Sequence, residues 1–452
     1  MNKMRRNLTV FLLAILLLSA TAAAGGWLTG TARTNITPEE LTWMGGYASR
    51  TEPARGTLQE IHARALALQD QDQQRFVLIS VDVLGFPASF SKAVTDRIQQ
   101  ELGLPREAII LAATHTHEGP VVGDNLGIAY RMEEKHKTAV MRYTGILETK
   151  LVETAVKAFA DMQPSRLSFG RTEAHFAINR RVIREGGIAN GANRLGPVDH
   201  RVPFMAVDSE NGVLKAIVFS YACHNTTGQG AYYYNGDYAG FAETSLEKEY
   251  PGITAMFMSG TAGDINPYPR GSSDLAERHG NELSKAIQGA ITGPLAELKP
   301  DLEAGYREII LKLQEPPTEE EFRRKLKDDN EFVRRHARVM LDRIERDGDL
   351  SRDFPYPVQA WRFGKDSLIL VAMGGEVLLD YTFLLEEAYP DSQLWVVGYS
   401  NDVSAYIPSR RILSEGGYEA EGAMLYYGWP STFEPSVEEM VLESISGLIP
   451  DE

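Results

Sequence analysis

The chain has a single cysteine, Cys223, among 452 residues, so no internal disulfide can form and packing alone must hold the fold. It is also short of positive charge: 46 Lys and Arg stand against 62 Asp and Glu, for a formal net charge of −16. No cationic stripe stands out, which argues against nucleic acid as a partner. Long apolar runs are scarce too. The run LTVFLLAILLL near the amino terminus is only eleven residues, too short for a comfortable membrane span. Histidine is sparse, with nine in all.

What is present begins with that apolar run. It sits between the cationic MNKMRR and the small-residue SATAAAGG, the layout of a cleaved secretory signal peptide over residues 1–24. An uncleaved anchor helix is the alternative. Export without disulfides suits a periplasmic or secreted enzyme whose core needs no staples. With 43% apolar and 24% charged residues, the remainder has an ordinary globular composition. We expect one domain over residues 25–452.

After the leader, apolar runs alternate with helical patterns. Residues 75–83 read as a buried strand and 89–102 as a helix; 108–113 form a strand and 136–162 a helix closed by Gln163 and Pro164. Strands follow at 213–223, 253–258, 367–373 and 394–397. Five of these strands run into polar, glycine-bearing loops, and in α/β sheets ligands gather at the carboxyl ends of strands. The alternation predicts an α/β fold with a mixed β-sheet core flanked by helices. Residues 317–349 break the rhythm with a long, charged helical pattern. We read it as a helical insertion, a hairpin broken at Asp328, Asp329 and Asn330, packed on the body; a lid over the crevice is the other reading.

The stretch LAATHTHEGP places His115 and His117 two residues apart just past a strand. In extended backbone both would point to one side, so both could bind a metal, or one could bind while the other handles protons. The pair could also be plain surface polar residues. His224 also follows an apolar strand, and Glu376 and Asp264 occupy equivalent places. Imidazole with carboxylate suits zinc, whose catalytic sites keep one position for water and bring its pKa near neutral. His62, His136, His279 and His336 lie in helical patterns and read as structural or surface groups; His175 and His200 stay open.

Eight ordered motifs resemble the neutral (non-lysosomal) ceramidases, zinc-dependent amidases that split the N-acyl bond of ceramide. THTHEGP at Thr114 resembles the family's THTHSGP, and NITPEELTWMGGYA at Asn35 its early glycine-bearing segment. INRR at Ile178 resembles INRS, HNTTG at His224 resembles HGTS, and NGDYAG at Asn235 resembles S-x-D-N-x-G-Y. GDINP at Gly263 resembles GDVSP, GGE at Gly374 resembles PGE, and SNDVSAYI at Ser400 resembles SNVYTHYI. The resemblance implies zinc ligands His115, His224, Glu376 and Tyr406. It places His117 beside the reacting carbonyl and Arg180 against the substrate. Read without it, Tyr406 could be a packed aromatic, Glu376 a carboxylate at a helix start, and Arg180 a structural ion-pair partner.

Three departures matter. Asn266 replaces the family's serine in GDVSP, Glu118 replaces the serine after the paired histidines, and Asn35 replaces an early aspartate. No immunoglobulin-like carboxyl-terminal domain is expected. The reaction implied is hydrolysis of an amide, or an ester, in a small-molecule or lipid substrate, with brief contact to a membrane surface. His117 would move protons, Asn266 and Arg180 would hold the carbonyl oxygen, and Asp264 and Asp237 would orient ligands. The rivals are a barrel-type metal amidohydrolase, which would want a metal-bridging lysine and two further strand-end histidines, and an exported binding protein without activity.

Overall fold

The computed structural model describes residues 26–365 and 368–449. The expected signal segment lies outside them. Strands Arg75–Val81 and Ile109–Ala113 are apolar at nearly every position, the composition of strands covered on both faces. They pair in parallel, with Val77 beside Ile109. At the other end of the same sheet, Leu214–Tyr221 and Thr254–Ser259 form a second parallel pair. Between the two pairs lie Arg201–Ser209, Gln163–Glu173, Trp27–Asn35 and His62–Gln69, all antiparallel, so the sheet is mixed as expected.

A second sheet orders Leu302–Lys312, Asp353–Phe363, Leu368–Met373 and Leu394–Val397. Its alternation shows how the layers stack. Leu368, Leu370 and Ala372 join a core shared with the first sheet, whereas Ile369, Val371 and Met373 face a separate cluster that includes Tyr381 and Val441 of two outer helices. In the first sheet Val218 and Met256 belong to the shared core, while Phe219 and Phe257 pack with Leu246 and Leu283 of helices Asp237–Glu249 and Ser273–Ile291. An apolar layer thus lies between the sheets, with helices on the outer faces.

The first sheet curls until its two parallel pairs approach each other. Ser80 Oγ donates to Phe257 O at 2.5 Å, and Ser259 Oγ to Thr114 O at 2.8 Å. The loop after Leu394–Val397 closes the gap: Gly398 N donates to Ser259 O at 3.1 Å and Asn401 N to Leu111 O at 2.6 Å. The carboxyl ends of strands from both sheets therefore meet at one place, which is the crevice the five loops implied.

Some local readings change. His62 opens a strand rather than sitting in a helix, because residues 62–69 are wedged between two antiparallel neighbours. Gln163 and Pro164 begin a strand instead of merely closing a helix. The insertion is a hairpin of helices Glu319–Lys325 and Glu331–Asp347, broken where expected. Thr318 and Glu321 form a capping box on the first helix. Phe322, Ala337, Met340 and Leu350 give the hairpin a small core of its own. Among the described residues, no helix is long and apolar enough to cross a membrane.

Candidate metal centre

His115 does not sit in extended backbone. Its φ of +59° turns the chain sharply past Ala113, so the paired histidines converge by a left-handed turn and not by strand alternation. Such a conformation in a non-glycine residue is strained and is characteristic of functional sites. The turn brings His117 Nε2 to 3.2 Å from His115 Nε2. His224, past the end of Leu214–Tyr221, reaches the same point. The ligand atoms of His115, His117 and His224 all lie within 4.8 Å of one another.

The tautomers follow from the backbone. His115 Nδ1 lies 2.6 Å from Leu84 O and His224 Nδ1 lies 2.6 Å from Ala262 O. A carbonyl accepts only, so each Nδ1 carries the proton and each Nε2 turns a lone pair inward. Burial, and then the Arg180 guanidinium, lower the His224 pKa to about 4. Burial, with His115 and His224 nearby, likewise pushes His117 well below its ordinary value. His117 and His224 are therefore neutral at neutral pH.

Glu376 supplies the negative charge. Its Oε2 lies 3.2 Å from His115 Nε2 and 3.0 Å from His224 Nε2. Burial pushes this carboxyl up, whereas a proton on either facing Nε2 would hold it well below the usual carboxylate range. Tyr406 Oη stands 3.4 Å from His224 Nε2. Gly375 just before Glu376 has φ +76°, and a Cβ there would meet Ala405 O at 2.7 Å, so the second glycine of GGE lets strands Glu376–Val377 and Tyr406–Ile407 close together. Arg180 spans the site: Nη1 is 3.2 Å from His224 Nε2, Nη2 donates to Tyr406 Oη at 3.1 Å, and Nε donates to Glu419 Oε1 at 2.7 Å. It is an ion-pair partner and also touches two of the expected ligands. Burial works against its charge, but Tyr406 and Glu419 more than compensate, so it stays protonated.

This donor set fits a divalent cation. Donors roughly 2.0–2.1 Å from one ion stand about 3.3 Å apart at tetrahedral angles, and a zinc ion that expands to five-coordinate can take a water beside four protein donors. The separations from Glu376 Oε2 to the two imidazoles and from Tyr406 Oη to His224 fall between 3.0 and 3.4 Å.

A model of the neutral/alkaline non-lysosomal ceramidase family, N-terminal part, matches residues 27–286. The chain belongs to that family. Curated relatives include neutral ceramidase of Drosophila melanogaster, 24% identical over 53% of this chain and 36% of the relative. Neutral ceramidase of Pseudomonas aeruginosa is 25% identical over 58% of this chain and 41% of its own length. The chain thus spans well under half the length of these curated relatives. The crystal structure of the Pseudomonas aeruginosa neutral ceramidase superposes with a TM-score of 0.71 at 18% identity, covering 94% of this chain and 74% of that one. A ceramidase complexed with C2 gives 0.70 at 17% identity, covering 94% and 75%. These structures share the fold.

Within this ceramidase-family fold the remaining expected residues take definite places. Asn266 lies buried on strand Ile265–Pro267, and its Oδ1 has no hydrogen-bond partner. Asp264 and Asp237 hydrogen-bond backbone and side chains beside the site. Asp264 accepts from Leu379 N and Asn179 Nδ2, each at 3.0 Å, and its carbonyl accepts from Arg180 N at 2.8 Å. Asp237 accepts from Gly228 N at 2.8 Å and faces Glu118. Burial, and then Asp237, push the Glu118 carboxyl well up, and the buried Arg50 stands 3.9 Å away.

Several site residues escaped sequence reasoning. Tyr427 Oη donates to Glu376 Oε1 at 2.6 Å. Tyr418 packs on Tyr406 at 5.5 Å, Tyr399 on His115 at 4.3 Å, and Tyr47 on His117 at 4.9 Å. Tyr47 and Tyr399 lie in irregular segments, and Tyr418 and Tyr427 in helical pieces of four or five residues, too short for periodicity to give a signal. The one available hint is the GGY triplet. A Cβ on Gly46 would stand 2.2 Å from His117 Nδ1, so only glycine fits there.

Proposed function

We propose that this chain is an exported, zinc-dependent hydrolase that cleaves the C–N bond of an N-acyl substrate, ceramidase-like in its chemistry. The observation that carries the reading is the meeting of two imidazoles with one carboxylate: His115 and His224 Nε2 lie 3.2 and 3.0 Å from Glu376 Oε2. With Tyr406 these residues would hold the ion. A bound zinc ion supplies Lewis acidity toward a carbonyl oxygen and lowers the pKa of water.

The chain's own residues do the rest. His117, neutral and with Nδ1 unpartnered, takes a proton from the attacking water and returns it to the leaving amine. The Arg180 guanidinium, fixed by Glu419, directs its Nη donors toward a carbonyl oxygen or a neighbouring hydroxyl. Asn266 offers a buried amide to the same group, and its free Oδ1 can accept from a substrate N–H or O–H. Burial of the donors keeps bulk water away and strengthens each of these contacts. A single catalytic domain over residues 25–452, released from the signal segment at 1–24 and making brief contact with lipid surfaces, completes the reading.

A second reading keeps the chemistry and changes the substrate. Asn266 and Glu118 stand where the family's motifs carry serines, which favours an N-acyl compound or ester other than ceramide. A panel of ceramides, N-acyl amino acids and simple amides, assayed with and without chelator, tests both. Turnover that survives chelation and His115→Ala sinks the zinc mechanism. Turnover confined to non-ceramide substrates selects the second reading.

A further inference from the structure

Glu376 uses its two oxygens differently. Oε2 faces the imidazoles, while Oε1 accepts the short bond from Tyr427 Oη at 2.6 Å. That length belongs to a charge-assisted O–H···O bond. A carboxylate pinned at one oxygen cannot rotate freely about its last torsion, which is otherwise soft. It then presents one lone pair to the imidazole side.

Tyr427 is itself held from outside the site. It ends the short helix Met424–Tyr427, closed by Gly428 at φ +77°. The insertion hairpin grips the next two carbonyls: Arg343 Nη1 donates to Gly428 O at 2.7 Å, and His336 Nε2 lies 2.8 Å from Trp429 O. Trp429 Nε1 in turn donates to Ser404 O at 2.8 Å, two residues before Tyr406. A run of rings leads the same way, from Phe332 on the hairpin to Tyr426 at 5.5 Å, then Tyr418 at 6.3 Å, then Tyr406 at 5.5 Å. The hairpin therefore reaches both Glu376 and Tyr406 without touching either.

We propose that Tyr427 is a positioning residue that fixes Glu376 for the cation, and that the hairpin of residues 317–349 sets cation affinity by holding Tyr427 in place. This rests on the metal reading above. Hydrogen-bonding partners of metal ligands commonly change affinity by about 10–100-fold when removed.

The test is zinc binding by the whole protein, measured by competition with a chromogenic chelator, beside the unfolding midpoint with and without zinc. Tyr427→Phe should weaken zinc binding by roughly 10–100-fold and shrink the zinc-dependent rise in midpoint, with the metal-free midpoint nearly unchanged. Arg343→Gln should shift affinity the same way by less, and it carries the test if Tyr427→Phe does not fold. Zinc affinity equal to wild type in both variants overturns the inference and leaves the metal reading standing. A wild-type protein that binds no zinc overturns both.

Discussion

Glu376 and Tyr406 are direct partners in a two-residue parallel ladder, Glu376–Val377 beside Tyr406–Ile407. The pairing places two of the four expected ligands side by side although thirty residues separate them. It also makes the fourth donor a matter of backbone register, because one slip would turn Tyr406 to the opposite face.

Tyr406→Phe should therefore keep the ladder and lose only the donor. We expect zinc affinity to fall about 10–100-fold with an unchanged far-UV spectrum, as chelator competition can measure. Affinity equal to wild type would remove Tyr406 from the ligand set.

His117→Gln should separate chemistry from binding. The bound zinc should stay near one per chain while kcat falls by about 10²–10⁴ with KM little changed, the loss typical of a missing proton carrier. Loss of the metal instead would make His117 a ligand, a role that its distance of 3.2 Å from His115 Nε2 also allows.

Arg64 lies buried between Asp82 and Glu243, at 2.9 Å from each. Arg64→Met should destabilise the protein by about 3–5 kcal/mol in urea unfolding, because it leaves buried carboxylates without their cation. A change within the error of the measurement would show that these acids do not depend on Arg64 for stability.

Asp402 gives a pH signature. Burial raises its pKa from 3.8 to about 7, so between those values the native state keeps a proton that the unfolded chain has released. Its contribution to stability therefore declines as pH rises from 3.8 toward 7, then levels off. Asp402→Asn should flatten that part of the profile and be at least as stable as wild type at pH 8, as thermal midpoints across pH will reveal.

Much of the framework was legible because strand interiors announce themselves. IILAA, LILVAM and LWVV are apolar at every position, and each led correctly to a strand ending near the site. The insertion was legible for a similar reason, since its charges recur at helical spacing and Asn330 caps its second helix. The antiparallel strands were harder. Gln163–Glu173 and Asp353–Phe363 carry proline and charge, and their strand character comes from neighbours on both sides. The motif marks His115 and His117, but they converge through the left-handed turn at His115 and not through extended backbone.

The sequence by itself determined which strands are buried, where the polar loops follow them, and which imidazoles and carboxylates stand at those ends. Those are local properties, set by side-chain hydropathy and backbone preference over a few residues. Only the tertiary structure decided that a curled sheet closes His115 on His224 and that Tyr427 donates to Glu376. The closing of the sheet and the Tyr427 contact depend on pairs 145 and 51 residues apart, Ser259 with Thr114 and Tyr427 with Glu376, and no periodicity encodes them.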